Sequence, residues 1–482
     1  MPEPKREDEQ QINHDRQSRR RKNARGQRRR SQPLFLVMIL VLLGLVLFAW
    51  HLTRPATDQG KVKEQEASKS IDKDNEVSKE KSPSGQKYSS PSKNAEKRAT
   101  IAMVGDVLIH QSLLNSAARP DGSFEFAPLF RYMKPMIQGV DLAAFDMEGV
   151  LKGPPYAGYP SFSVPESIAF ELKDAGFDLA ISANNHAMDF DVPAMVTCAE
   201  NLRKAGLEVV GTRVEFDDPK FTVQEIKGMK IGFTAFTYES ERILWGNEYL
   251  RALNQVPISD ENAQLVDSVY VYNQPDLLEV DAKRISDRVE AMRKAGAEAI
   301  VFFFHWGTEY ALDTDFGQDY YSQLLADLKV DVCLGAGPHV IQPIRSISSQ
   351  DGKHDMLCYF SVGNFVSNQQ YDTGGSEGRA QDGLVALISF SRDRSGDVRL
   401  DKCGYLAHTM YKEYPHGEEE EYTVGAAMPI EAALAQPEDY ALEAEGLTQV
   451  EAAQARIETI MQANDPGNFS LDGFSSLEDF LQ

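Results

Sequence analysis

The chain has 482 residues, 42% of them hydrophobic, four cysteines and a formal net charge of −23. That length and apolar content suit one large folded domain or two smaller ones. The acidic surplus argues against a nucleic-acid partner, because no basic patch appears beyond the first 33 residues.

Residues 1–33 carry 11 Lys/Arg against 5 Asp/Glu, a local balance of +6 that leaves the remainder near −29. The uncharged run Leu34–Trp50 follows directly after Arg28, Arg29 and Arg30. A run of this length approaches the thickness of a bilayer core, so a transmembrane anchor is predicted over 34–52. The upstream basic residues place the N-terminus in the cytoplasm, and Trp50 sits where an interfacial aromatic is expected. The chain would then be a single-pass protein of the cell membrane, with everything after the anchor extracellular. A cleaved signal peptide fits less well, since the basic region is long and no small-x-small cleavage site follows. Residues 53–97 are rich in Lys, Glu, Ser, Asp and Gln. Such a segment buries too little apolar surface to offset its ordering entropy and reads as a disordered polar stalk.

The folded domain is expected over 98–415. Short apolar runs read as strands at Thr100–Val104, Leu142–Phe145, Asp178–Ile181, Lys230–Phe236, Ala299–Phe304, Val330–Leu334, Met356–Val362 and Leu384–Phe390. Helical spacing appears at Pro165–Ala175, Val192–Ala205, Val280–Ala295 and Gly317–Lys329. Strand–helix alternation predicts an α/β fold with a largely parallel core, with antiparallel additions from 356 to 407. Residues 416–482 open with Glu418–Glu421, contain Ala-rich helical stretches and read as an acidic C-terminal tail. The cysteines, Cys198, Cys333, Cys358 and Cys403, lack zinc-type spacing and read as core residues, with a Cys333–Cys358 bridge as a lesser alternative.

Several strands end in residues suited to metals, and sites in open α/β sheets gather beyond the carboxyl ends of strands. Asp106 follows Gly105 at the end of the first run and offers a carboxylate; a solvated turn Asp is the alternative. His110 lies four residues on and would face the same way if a helical turn continued, as a ligand or an acid. Glu148 follows an apolar strand that also carries Asp146, and could bridge two cations. In Asn184-Asn185-His186, Asn185 can give an amide oxygen to a metal, and His186 can protonate a leaving group or bind an oxyanion. Two adjacent Asn before a His suit neither strand nor helix, which points to function. His305 tips an apolar strand, with Trp306–Tyr310 as a wall and Glu309 placed to orient an imidazole. His339 follows Gly335-Ala336-Gly337-Pro338. For either histidine, a satisfied structural role is the alternative.

Together these stretches resemble the CapA-type capsule and poly-γ-glutamate biosynthesis family. The resemblance rests on Met103-Val104-Gly105-Asp106, Met147-Glu148-Gly149, Ala183–Asp189, His305–Tyr310, Gly337–Gln342 and Ser361-Val362-Gly363-Asn364-Phe365, in that order. It implies a calcineurin-like metallophosphoesterase fold, with two facing β-sheets flanked by helices in four layers, and a centre for two divalent cations (Mn, Fe or Zn). It makes Asp106, Glu148, Asn185, His305 and His339 the metal ligands and His186 the catalytic or phosphate-contacting histidine, while His110 stays a candidate acid on its spacing alone. Asn184, Glu309 and Asn364 would support them or meet substrate. It also implies work in synthesis or export of an anionic polymer, alongside a polymer synthase or export complex. The chain departs from the phosphoesterase pattern in three places: Asp106 and His110 are four apart, Glu148 replaces an Asp, and Gly337 stands where a second His is common. A stand-alone cell-surface phosphoesterase and a non-catalytic scaffold therefore stay open as alternatives.

Overall fold

The computed structural model describes residues 98–239, 243–245, 248–270, 275–369, 372–413 and 424–482. The basic segment, the expected anchor at 34–52 and the stalk lie outside the described residues. Among those described, no helix is long and apolar enough to cross a membrane.

Two sheets face each other. The first runs in the order Val424–Pro429, Val398–Glu413, Asp382–Arg392, Arg98–Val107, Leu142–Met147, Leu179–Ile181, Glu208–Val210. Its 98–210 half is parallel, and its strands from 382 on add antiparallel as expected, whereas Asp355–Tyr359, expected among those additions, runs parallel to Val332–Ala336 in the other sheet. The second runs Ser268–Val269, Met229–Tyr238, Ala299–His305, Val332–Ala336, Asp355–Tyr359, Ile344–Ser348, with the middle four parallel.

The period-two alternation of strand side chains explains the layers. Ala299, Val301 and Phe303 point between the sheets, while Ile300, Phe302 and Phe304 point outward under the helices Pro275–Lys294 and Phe316–Asp327. Both faces are buried, which is why this strand reads as an unbroken apolar run. Ala99, Ile101 and Met103 likewise face the inner core, and Ala102 and Val104 face the helices Ser167–Ala175 and Val192–Lys204. Each fully buried Phe or Val side chain contributes about 1.5–3 kcal/mol. Local chemistry sets the helix ends: Gly176, at φ 114°, closes 167–175, and Asp315 with Gln318 forms a capping box for 316–327. The result is the expected four-layer α/β sandwich. All four cysteines are free and buried.

The C-terminal region corrects the expected boundary at 415. The helix Ala444–Met461 buries Val450, Ala453, Ile457 and Ile460 in the between-sheet core. Arg456 donates to both oxygens of the buried Asp382 at 2.7 and 2.8 Å. Leu471–Gly473 adds a parallel strand beside 398–413. Residues 424–482 thus complete the domain rather than trail from it. The stripe 450, 453, 457, 460 has helical spacing, a signal masked by the acidic composition around it.

Candidate metal centre

Strand ends from both sheets meet at one shared edge. Gly105 is the first local determinant: a Cβ there would lie 1.7 Å from the Gly363 carbonyl oxygen. Glycine alone allows the strand Asn364–Val366 to close on 98–107. Asp106 then pairs with Asn364 on one side and Asp146 on the other.

Two acid–histidine groups share Asp106. One joins Asp106, Glu148 and His339; the other joins Asp106, Asp146 and His305; within each, the ligand atoms lie within 4.8 Å of one another. All five residues are buried. His339 Nδ1 is 3.1 Å from Asp106 Oδ2 and 3.0 Å from Asn364 Oδ1, and its Nε2 is 3.7 Å from Glu148 Oε1. His305 Nδ1 is 2.9 Å from Asp146 Oδ2 and 3.8 Å from Asp106 Oδ1. Asp106 is the residue common to both groups, whereas Glu148, read from the sequence as able to bridge two cations, stands in one of them. Asp146 had no assigned role; its signal was a carboxylate at the end of an otherwise apolar strand.

Asn184 is fully buried and donates to Asp146 Oδ1 at 2.9 Å and to the Met147 carbonyl at 2.7 Å. Asn364 fixes His339 and in turn donates to Gln369 and the Ala380 carbonyl. Asn185 is half-buried, with its Oδ1 enclosed and unpartnered. Glu309 departs from expectation: it is exposed and makes no hydrogen bond to an imidazole among the described residues. Asp146, Asp106 and Asn364 do that work instead. Trp306 packs into the outer core against Phe304 and Phe360, so Tyr310, 5.8 Å from His339, is the expected wall's contact with an imidazole.

His186 sits beside this centre. The turn Asn185–Met188 brings its Nδ1 to 2.8 and 2.9 Å from the Asp189 oxygens, and its Nε2 lies 3.8 Å from Glu148 Oε1. Phe162 packs edge-on against the ring at 4.8 Å, and its backbone N–H donates to Asp189. Asn254 donates to Asp189 Oδ1 at 2.7 Å from the tight turn joining Ala252–Leu253 to Val256–Pro257. Nothing in the sequence marked Asn254, since its role depends on that turn reaching another element. His110 does not join either group. Residues 108–110 leave the strand without forming a helix, which removes the expected alignment with Asp106. Its Nδ1 lies 3.2 Å from the Leu108 carbonyl and 3.1 Å from the Asn368 N–H, and its ring packs on Phe162.

Gly337 also acquires a reason. Its φ is +107°, and a Cβ there would lie 2.8 Å from the Trp306 carbonyl oxygen and 3.0 Å from the His305 ring. A second histidine at 337 would collide with the one already in place.

The electrostatics are those of crowded, buried acids. Burial pushes Asp146 up to about 8 despite its bond from Asn184. Burial, with Asp106 and Asp146 nearby, raises Glu148 well above the carboxylate range. Burial pushes His305 down to about 4, and likewise His110 to about 4. Burial would also lower His339, but Glu148 and Asp106 carry it up to about 10. Asp106 Oδ1, both Glu148 oxygens, Asn184 Oδ1, Asn185 Oδ1 and His305 Nε2 are all buried without a hydrogen-bond partner. Each such orphan costs about 1–3 kcal/mol. With His305 donating from Nδ1, all six offer lone pairs. That donor set, oxygen and imidazole without thiolate, fits divalent cations of the Mn, Fe or Zn kind.

These features define a two-sheet α/β protein with a buried acid–histidine centre whose residues could hold metal. Residues 100–369 match the family described as bacterial capsule synthesis protein PGA_cap, and the chain belongs to that family. It is 26% identical over 232 residues to the PGA biosynthesis protein CapA of Bacillus subtilis (strain 168), covering 48% of this chain and 51% of that protein. It is 24% identical over 323 residues to the Capsule biosynthesis protein CapA of Bacillus anthracis, covering 64% and 68%. The chain thus spans about half the length of the Bacillus subtilis relative. Solved structures similar to it include the NAD nucleotidase NadN of Haemophilus influenzae, with TM-score 0.37 and 10% identity over 80% of this chain and 66% of that one. Another is the calcineurin-like phosphoesterase YfkN of Bacillus subtilis, with TM-score 0.34 and 10% identity over 65% and 91%.

Proposed function

We propose that this protein acts at the cell surface in synthesis or export of a capsule or poly-γ-glutamate-type polymer, through a hydrolase-like centre for two divalent cations. The observation that carries this reading is the sharing of Asp106 by two buried acid–histidine groups ringed with unpartnered lone pairs. A scaffold that had lost its chemistry would gain stability by replacing such groups with apolar ones. Asp106, Asp146 and His305 would hold one cation, and Asp106, Glu148 and His339 the other, with Asn185 adding an amide oxygen. Bound cations would supply Lewis acidity at a phosphoryl or amide-type carbonyl oxygen. His186 would serve proton transfer: its Nδ1–H donates to Asp189, which leaves the Nε2 lone pair directed to the Glu148 side of the centre. The reading includes the anchor over 34–52, an extracellular domain and association with a synthase or export complex.

The test pairs metal analysis of the purified full-length chain with surface polymer in cells carrying Asp106→Asn or His186→Ala. Two ions per chain, and polymer lost in both variants at normal protein levels, are expected. No bound metal in a folded protein, or normal polymer in both variants, would overturn the catalytic reading. Turnover of a generic phosphodiester with polymer unchanged would favour a stand-alone phosphoesterase.

A further inference from the structure

Five cations line one cavity of about 450 Å³ in a chain of net charge −23: Arg213, Lys220, Arg251, Arg284 and Arg288. Three carboxylates, Asp260, Asp267 and Asp287, share the lining. The cavity lies over the outer face of the second sheet, against the helix 275–294, where Arg288 covers the Phe236 ring at 5.0 Å.

Its floor is unbalanced in charge. Arg213 and Arg288 are buried and both bond the same carboxylate, Asp267, at 2.7–3.2 Å. Two guanidinium groups against one carboxylate leave a positive charge uncompensated in a poorly hydrated place, which is costly. Burial would raise the Asp267 carboxyl, but Arg288 and Arg213 together hold it below its usual range. At the mouth, Arg251 is neutralised by Glu239, while Asp260 is almost fully exposed and Asp287 is occupied by Lys283. Arg284 reaches Asp281 only at 3.4 Å. Lys220 is exposed, and partial burial with the nearby Arg213 charge lowers its ammonium below the usual value.

We infer that this cavity is an oxyanion-binding site, separate from the metal centre, in which Lys220 and Arg284 receive a carboxylate or phosphate group above the Arg213–Asp267–Arg288 floor. A guanidinium and an ammonium over a buried positive charge are suited to such a group. Only the choice of a γ-glutamyl probe rests on the polymer reading above.

The experiment is calorimetric titration of the full-length chain with inorganic phosphate and, separately, with tri-γ-glutamate, after metal has been stripped and the chelator dialysed away so that ions at Asp106 play no part. Saturable binding of at least one probe is expected, weakened about tenfold or more in Lys220→Ala/Arg284→Ala, the size of a charge-assisted hydrogen bond. Lys294→Ala, at the far end of the same helix and paired with Glu290 outside the cavity, should bind as wild type. Binding of phosphate alone supports the site with a phosphate-type ligand; binding of the glutamate trimer supports polymer carboxylate. No saturable binding of either probe, or equal binding by the double variant, overturns the inference.

Discussion

His339 and Asp106 stand 233 residues apart in the chain, yet Nδ1 of one lies 3.1 Å from Oδ2 of the other. His339 adopts a φ of +60°, a left-handed conformation uncommon for histidine. Such strain costs about 1–3 kcal/mol and is held by its surroundings. Here Asp106 and Asn364 bond the ring, and the Tyr310 N–H bonds the Pro338 carbonyl just before it. Asp106 thereby ties the two sheets together at the point where both acid–histidine groups need it.

Asp106→Asn is expected to lower bound metal from two ions to one or none, measured by elemental analysis. Unchanged metal content would remove Asp106 from the shared position.

The metal-free fold should lose stability as pH rises above about 6.5. Asp146, with a folded value near 8, holds its proton longer in the fold than when unfolded, so its contribution fades from about pH 4 to 8. His339, raised to about 10, contributes fully below its ordinary 6.5 and fades towards 10. His305, lowered to about 4, acts oppositely, but only between about 4 and 6.5. Above 6.5 no other group of the centre opposes these losses, and the buried Lys412, lowered to about 8, acts against them only from about 8 upward. Manganese or zinc should reverse the slope, since binding requires the deprotonated acids. Thermal melts at pH 6.5, 7.5 and 8.5, with and without metal, read this directly.

Gly105→Ala should destabilise the protein by about 3 kcal/mol or more, since overpacking here meets rigid backbone rather than a flexible side chain. Urea unfolding measures it. A cost under 1 kcal/mol would mean that the 98–107 and 364–366 strands can separate freely.

Asp189→Asn and Asn254→Ala should leave bound metal near wild type and reduce polymer formation, Asp189→Asn more strongly. Asp189 fixes the His186 tautomer, whereas Asn254 only orients Asp189. The informative readout is the pH profile of polymer formation, which a purely structural role would not shift.

Arg456→Ala should cost about 3–5 kcal/mol by stranding the buried Asp382 carboxylate. Adding Asp382→Asn should recover part of the loss in chemical denaturation. A neutral Arg456→Ala would separate the 444–461 helix from the stability of the core.

The sequence by itself determined the strand–helix alternation and the α/β class and pointed to the polar residues at strand ends, because periodicity and strand ends are local signals; the four-layer arrangement came only from the family resemblance. The sequence could also have shown the docking of the 444–461 helix, whose apolar stripe was overshadowed by surrounding charge. Tertiary structure alone decided which acid is shared. Asp106 and Asp146 become neighbours through strand pairing, while Glu148 lies two residues past Asp146, in one group only. It also decided that His110 stands apart, that Asn254 reaches Asp189, and that Gly337 is the space His305 occupies. Those relations depend on where separate strands and turns meet, and spacing along the chain does not encode a distance across two sheets.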